Sequence, residues 1–121
     1  MNTSLAENNW PLVQDKSYSQ TGINITLLIP VELSFFSGHF PAAPILPGVV
    51  LVHWAAYFIA QEFKVEPIFS SLKQVKFLKK ISPGTTVVLT LLQIQTGFAF
   101  SYVSHGDGTQ DCKHASGQFI V

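Results

Sequence analysis

The sequence predicts a single α+β domain, one long helix with at least five antiparallel strands curled around it. Three observations predict this. Residues 49–60 read Val-Val-Leu-Val-His-Trp-Ala-Ala-Tyr-Phe-Ile-Ala, a helical stretch without a polar face, and a helix that is apolar all round is expected to be buried on all sides. Segments of alternating or β-branched character, separated by Gly and Pro turns, lie before and after it. A chain of 121 residues is enough for one core and one domain.

The elements follow in order. The polar first ten residues fit a short turn or a frayed end. Residues 11–19 form a weak strand candidate, and residues 22–30 (Gly-Ile-Asn-Ile-Thr-Leu-Leu-Ile-Pro) a better one, joined by a hairpin turn at Gln20-Thr21-Gly22. Between residues 37 and 47, Pro41, Pro44 and Pro47 recur at three-residue intervals. Each fixes its own φ and pushes the preceding residue toward extended geometry, so the loop is expected to be stiff. Pro47 suits the first helical position, and the helix runs to about Phe63, ended by Lys64-Val65-Glu66-Pro67. Residues 72–81 alternate as a strand, and Ser82-Pro83-Gly84 is a turn. Residues 85–95 and 97–104 are strands, Gly106-Asp107-Gly108 is a hairpin turn, and residues 111–121 close the chain as a strand.

Composition narrows the function. The chain is 47% hydrophobic and only 12% charged, which points to surface covered by a second copy of itself. Its net charge is zero and its seven basic residues are all Lys, a poor fit to a nucleic-acid binder, which favours a basic excess and Arg. A lone cysteine, Cys112, excludes an internal disulfide and a Cys-rich metal site. The start has no basic and apolar segments of a secretory signal, and the longest nearly apolar run, residues 48–60, is too short to span a membrane. A soluble, cytoplasmic protein is the expectation.

Five places offer chemistry. His39, held between Gly38 and Phe40-Pro41, is placed either as a general base near neutral pH or as a loop histidine bonded to a nearby carbonyl. Gly48 and Val49 open the helix, and their N–H groups lack intrahelical partners. With the positive end of the helix dipole behind them, they suit a carbonyl oxygen that gains charge. Equally, Gly after Pro simply starts a helix. His53 has no other polar position near it in that helix, and is either a satisfied core histidine or a group facing a cavity or subunit boundary. Cys112 and His114 share one face of an ideal strand, but no orienting acid lies near them. Lys73, Lys76, Lys79 and Lys80 make a basic stretch around Phe77, either a solvated strand edge or a landing site for an acidic partner.

Gly38-His39-Phe40-Pro41 followed by Pro44-Ile45-Leu46-Pro47-Gly48-Val49 resembles the signature of the β-hydroxyacyl-acyl carrier protein dehydratases, which have the hot-dog fold. Downstream, Val75-Lys76-Phe77, Ile81-Ser82-Pro83-Gly84 and Ala115-Ser116-Gly117 resemble the family's strand and turn after the helix and its last strand. Phe35-Phe36 and His53-Trp54-Ala55 look most like the thioester dehydratases of aryl polyene pigment clusters. The resemblance covers roughly residues 22–121.

It implies a homodimer with active sites at the subunit boundary and dehydration of a 3-hydroxyacyl thioester to the trans-2-enoyl thioester, in fatty acid or polyene-type biosynthesis. His39 takes the α-proton, and the N–H of Gly48, with Val49 beside it, holds the thioester carbonyl. The acid that helps the hydroxyl leave, Glu or Asp from the partner's helix in that family, falls at His53, where this chain departs from the pattern. An imidazolium can also donate a proton, and two close histidines resist double protonation, so neutral His39 and protonated His53 form a workable pair. The implied acyl tunnel runs by Phe40, Pro47, Trp54 and Tyr57. The substrate arrives on acyl carrier protein or coenzyme A, with Lys76, Lys79 and Lys80 as carrier contacts, and no metal or redox cofactor is expected. The alternatives are a hot-dog thioesterase and a catalytically degenerate acyl-binding or dimerising subunit.

Overall fold

The computed structural model describes residues 9–33, 46–105 and 111–121. Among these residues six strands, β1 (Leu12–Tyr18), β2 (Gly22–Leu28), β3 (Ser71–Phe77), β4 (Thr86–Ile94), β5 (Gly97–Ser104) and β6 (Cys112–Ile120), pack on one side of a helix, α1 (Gly48–Phe63). They form a single antiparallel sheet in the order β1-β2-β4-β5-β6-β3. The hairpin-linked neighbours β1–β2, β4–β5 and β5–β6 need only short connections. The long excursion through α1 carries the chain from β2 across to the far edge, where β3 pairs with β6.

Period-two alternation decides which side chains face α1. Ile23, Ile25 and Leu27 of β2, Val87, Leu89 and Leu91 of β4, and Phe98, Phe100 and Tyr102 of β5 are all buried, and they join Ala115 and Phe119 of β6 in one core with the helix. Against them α1 sets Val50, Leu51, Trp54, Ala55, Phe58 and Ile59. At 100° per residue these six cover half of the helix circumference. Trp54 and Tyr102 are fully buried. Each meets its polar requirement: the Trp54 indole N–H donates to the Asn9 carbonyl at 3.0 Å, and the Tyr102 hydroxyl donates to the Leu51 carbonyl at 2.6 Å.

The other half of the helix is a correction to the expected all-round burial. Val49, His53 and Tyr57 are exposed, and Ala56 and Ala60 between them are half-buried. The cause is geometric, since one sheet wraps one side of a helix. The remaining stripe is as apolar as the buried one, apart from His53, and among the described residues the ring of Trp10 leans against it.

Three local details also differ from expectation. Pro47 is the N-cap, extended at φ −62° and ψ 142°, rather than the first helical residue. Lys64 closes α1 in the left-handed region at φ 56°, and Pro67 follows as a natural stop. The strand expected over residues 72–81 ends at Phe77 and carries a bulge. Lys73 pairs with Gln118 and Lys76 with Ser116, leaving Gln74 and Val75 opposite Gly117, and Gln74 adopts φ 54°. Among the described residues no helix is long and apolar enough to cross a membrane.

Candidate active site

The segment from residue 34 to 45, with His39 and Phe40, lies outside the described residues, as does the Gly106-Asp107-Gly108 turn. The chain re-enters at Leu46, whose N–H donates to the Ile81 carbonyl at 3.3 Å. Pro47 then caps α1, and the Val50 N–H turns back to the Pro47 carbonyl at 3.1 Å. The first-turn N–H groups of Gly48 and Val49 have no carbonyl one turn earlier to bond.

This helix start opens into a pocket of about 420 Å³, lined on one side by Leu46 to Val49 and Leu51 and on the other by Phe77 to Ile81, with His114 in its wall. A Cβ at position 48 would stand 2.8 Å from the Phe77 ring. Glycine therefore lets the aromatic ring close against the helix terminus, and any side chain there displaces it. The pocket is mostly apolar. Lys79 and Lys80 line it and are exposed, so cationic charge stands at its rim; Lys76 is exposed on β3 and does not line it.

His53 is not in this pocket. It stands about one and a half turns further along α1, in a second groove of about 390 Å³ with Ala56, Tyr57, Ala60, Gln61, Val65 and Pro67. Trp10 leans over this stretch of helix, its ring 5.5 Å from the His53 ring and 4.5 Å from Tyr57. The imidazole expected in a buried helix is thus solvent-accessible in the single chain, with an aromatic neighbour. Tyr57 borders the same groove, whereas Trp54 points into the core beneath it.

For two residues of this region the sequence reading missed the place in the fold. Trp10 was grouped with a polar terminus, and only the folded chain brings it to His53. His114 is the single buried polar residue among those described. Its Nδ1 lies 3.0 Å from the Lys79 carbonyl and its Nε2 2.8 Å from Ser104 Oγ, so it makes no pair with Cys112. A register shift explains its direction: Tyr102 pairs with Ala115 and Val103 with Lys113, which leaves His114 as the extra residue, turned inward beside Ala115. His105 is exposed and meets Asp111 at 2.7 Å. Among the described residues no three His, Cys, Asp or Glu side chains gather as metal ligands.

The comparisons agree with this architecture. Residues 14–118 match the family model described as ApeI-like, ApeI dehydratase. A chain of the dehydratase heterocomplex ApeI:P from Xenorhabdus doucetiae superposes with a TM-score of 0.75 at 28% identity, over 92% of this chain and 96% of that one. An uncharacterized protein from Erwinia carotovora subsp. atroseptica superposes with a TM-score of 0.74 at 26% identity, over 92% and 94%. The 3-hydroxyacyl-(acyl-carrier-protein) dehydratase FabZ of Caldicellulosiruptor bescii is 36% identical over 73 residues, 54% of this chain and 49% of that protein. FabZ of Clostridium tetani is 38% identical over 68 residues, 50% and 48%. The chain spans about half the length of these FabZ relatives. The fold is that of the ApeI:P dehydratase chain, and with the family match running through all six strands and the helix, the chain belongs to the ApeI-like dehydratase family.

Proposed function

We propose that the protein dehydrates a 3-hydroxyacyl thioester, delivered on an acyl carrier protein, to the trans-2-enoyl thioester. The observation that carries this reading is the pocket at the start of α1, apolar along most of its walls and furnished at one end with two helix N–H groups that have no intrahelical partner. A thioester carbonyl docked on Gly48 and Val49 would share its growing negative charge with those donors as the α-carbon loses its proton. His39, in the segment that leads into Leu46, is the proposed base. The base takes the α-proton and the C–O bond to the 3-hydroxyl breaks. The hydroxyl leaves as water after receiving a proton from the acid, for which we propose His53.

Within one chain the helix start and His53 belong to separate cavities. A site that uses both draws His53 from a second subunit, and the uncovered stripe of α1 together with the edge strand β3, which leaves Leu72 and Phe77 exposed, supports such a partner. We take the partner to be a second copy of this chain. The lysines at the pocket rim, Lys79 and Lys80, suit the phosphate of a pantetheine arm and an acidic carrier.

The test is a dehydration assay with 3-hydroxyoctanoyl-acyl carrier protein, following enoyl absorbance and free thiol together. Enoyl product without thiol is expected. Thiol release in place of enoyl product identifies a thioesterase, and binding without either identifies a passive acyl-binding subunit; both outcomes overturn the reading.

A further inference from the structure

We propose that His114 is a positioning residue of the pocket: it holds the Leu78–Lys80 segment at a set distance from the start of α1 and thereby sets how tightly the substrate arm is bound. The inference rests on the dehydratase reading for its substrate, and on geometry alone for the clamp.

The clamp has four hydrogen bonds. The carbonyl of Lys79 can only accept, so His114 Nδ1, 3.0 Å away, carries the ring proton and donates it. Nε2 is then the acceptor, and the Ser104 hydroxyl at 2.8 Å donates to it. The His114 backbone carbonyl accepts from the N–H of Leu78 at 2.8 Å and from that of Lys79 at 3.3 Å. One residue of β6 thus grips both the N–H and the C=O of Lys79. Two residues on, the Ile81 carbonyl is held by Leu46, which leads directly into the helix cap. The segment is tied to β6 at one end and to the α1 entrance at the other, and the pocket lies between.

A purely space-filling residue would not need this chemistry. A buried imidazole costs free energy unless both nitrogens are partnered, and an aliphatic side chain would fill the same volume without that demand. What the ring supplies is a donor aimed at one carbonyl of the pocket wall. The bulge in β6 that turns it inward is a local departure from regular pairing of the kind that re-aims side chains near functional sites. Loss of the donor leaves the Lys79 carbonyl unmet. The segment that carries Phe77, Lys79 and Lys80 is then free to move away from Gly48, which loosens substrate binding more than it slows the bond-breaking step.

Two near-isosteric variants separate the bonds. In His114→Asn the amide nitrogen stands close to the position of Nδ1 and keeps the bond to Lys79; in His114→Gln it stands close to Nε2 and faces Ser104 instead. With 3-hydroxyoctanoyl-acyl carrier protein, His114→Gln and His114→Ala should raise KM about tenfold, the equivalent of one lost hydrogen bond to the pocket wall, with kcat within about threefold. His114→Asn should leave both near wild type. Hydrogen exchange of the amides in residues 77–81, read on the same proteins without substrate, should accelerate in the Gln and Ala variants and not in the Asn variant. Equal behaviour of Asn and Gln in exchange, or a loss that falls on kcat with KM unchanged, overturns the proposal. A wild-type protein without dehydration activity sinks the dehydratase reading instead, and the exchange comparison still decides the clamp. If His114→Ala does not fold, the Asn–Gln pair carries the test.

Discussion

At the scale of single residues the account places acid–base work on two imidazoles. His39→Ala should lower kcat about a thousandfold, within the usual contribution of general base catalysis, and leave the fold intact; a rate near wild type would remove His39 from the mechanism. Catalysis that needs one histidine neutral and the other protonated should lose kcat/KM on both the acid and the alkaline side of neutrality. A profile flat from pH 5.5 to 9 would contradict the pairing. The sequence offered both histidines as candidates, one from its proline-bounded loop and one from an otherwise apolar stretch of helix. The inward direction of His114 was not read, although a signal existed. Alternation counted back from Phe119 through Gly117 and Ala115 puts Lys113 on the core face, where an unpaired ammonium is untenable. The strand resolves this by a bulge that returns Lys113 to solvent and turns His114 inward. Trp10 gave no local signal, because its contact with His53 is made only when the terminus folds back over α1.

At the scale of elements, the helix explains both stability and shape. Its carbonyl at Leu51 is bonded by the fully buried Tyr102 hydroxyl, and Tyr102→Phe should cost about 1 kcal/mol and lower Tm by a few degrees without altering kcat. Burial holds the Tyr102 phenol well above its ordinary value. The unfolded phenol ionises near pH 10 while the folded one stays protonated, so this contribution to stability is intact below pH 10 and is lost as pH rises beyond it. Urea unfolding of wild type and Tyr102→Phe between pH 8 and 11 should show a shallower alkaline decline in the variant; parallel curves would contradict it. The helix, its C-terminal stop and the order of the strands were readable from periodicity and punctuation. Burial of the helix was only half readable. An apolar surface in the sequence does not say whether the chain's own sheet or another molecule covers it, and here the sheet reaches one side. The early end of β3 was also hidden, because Leu78, Lys79 and Lys80 continue the alternation, but the N–H groups of Leu78 and Lys79 bond to the His114 carbonyl rather than along the strand.

At the scale of the whole molecule, the fold separates what the chemistry must join. One end of α1 carries the N–H groups proposed to hold the carbonyl, while His53 lies further along, in its own groove. The proposed two-fold dimer would join these places, and the low charged content that first suggested self-association fits a surface of this kind. The central claim is that each site takes His39 from one protomer and His53 from its partner. Co-expression of His39→Ala and His53→Ala chains, each inactive alone, tests it directly. A mixed dimer then holds one intact site and one doubly defective site, so a statistical mixture should regain about a quarter of the wild-type dehydration rate. A mixture that stays at the background of the single variants, while mixed dimers are present and the wild type is active, would contradict the shared site.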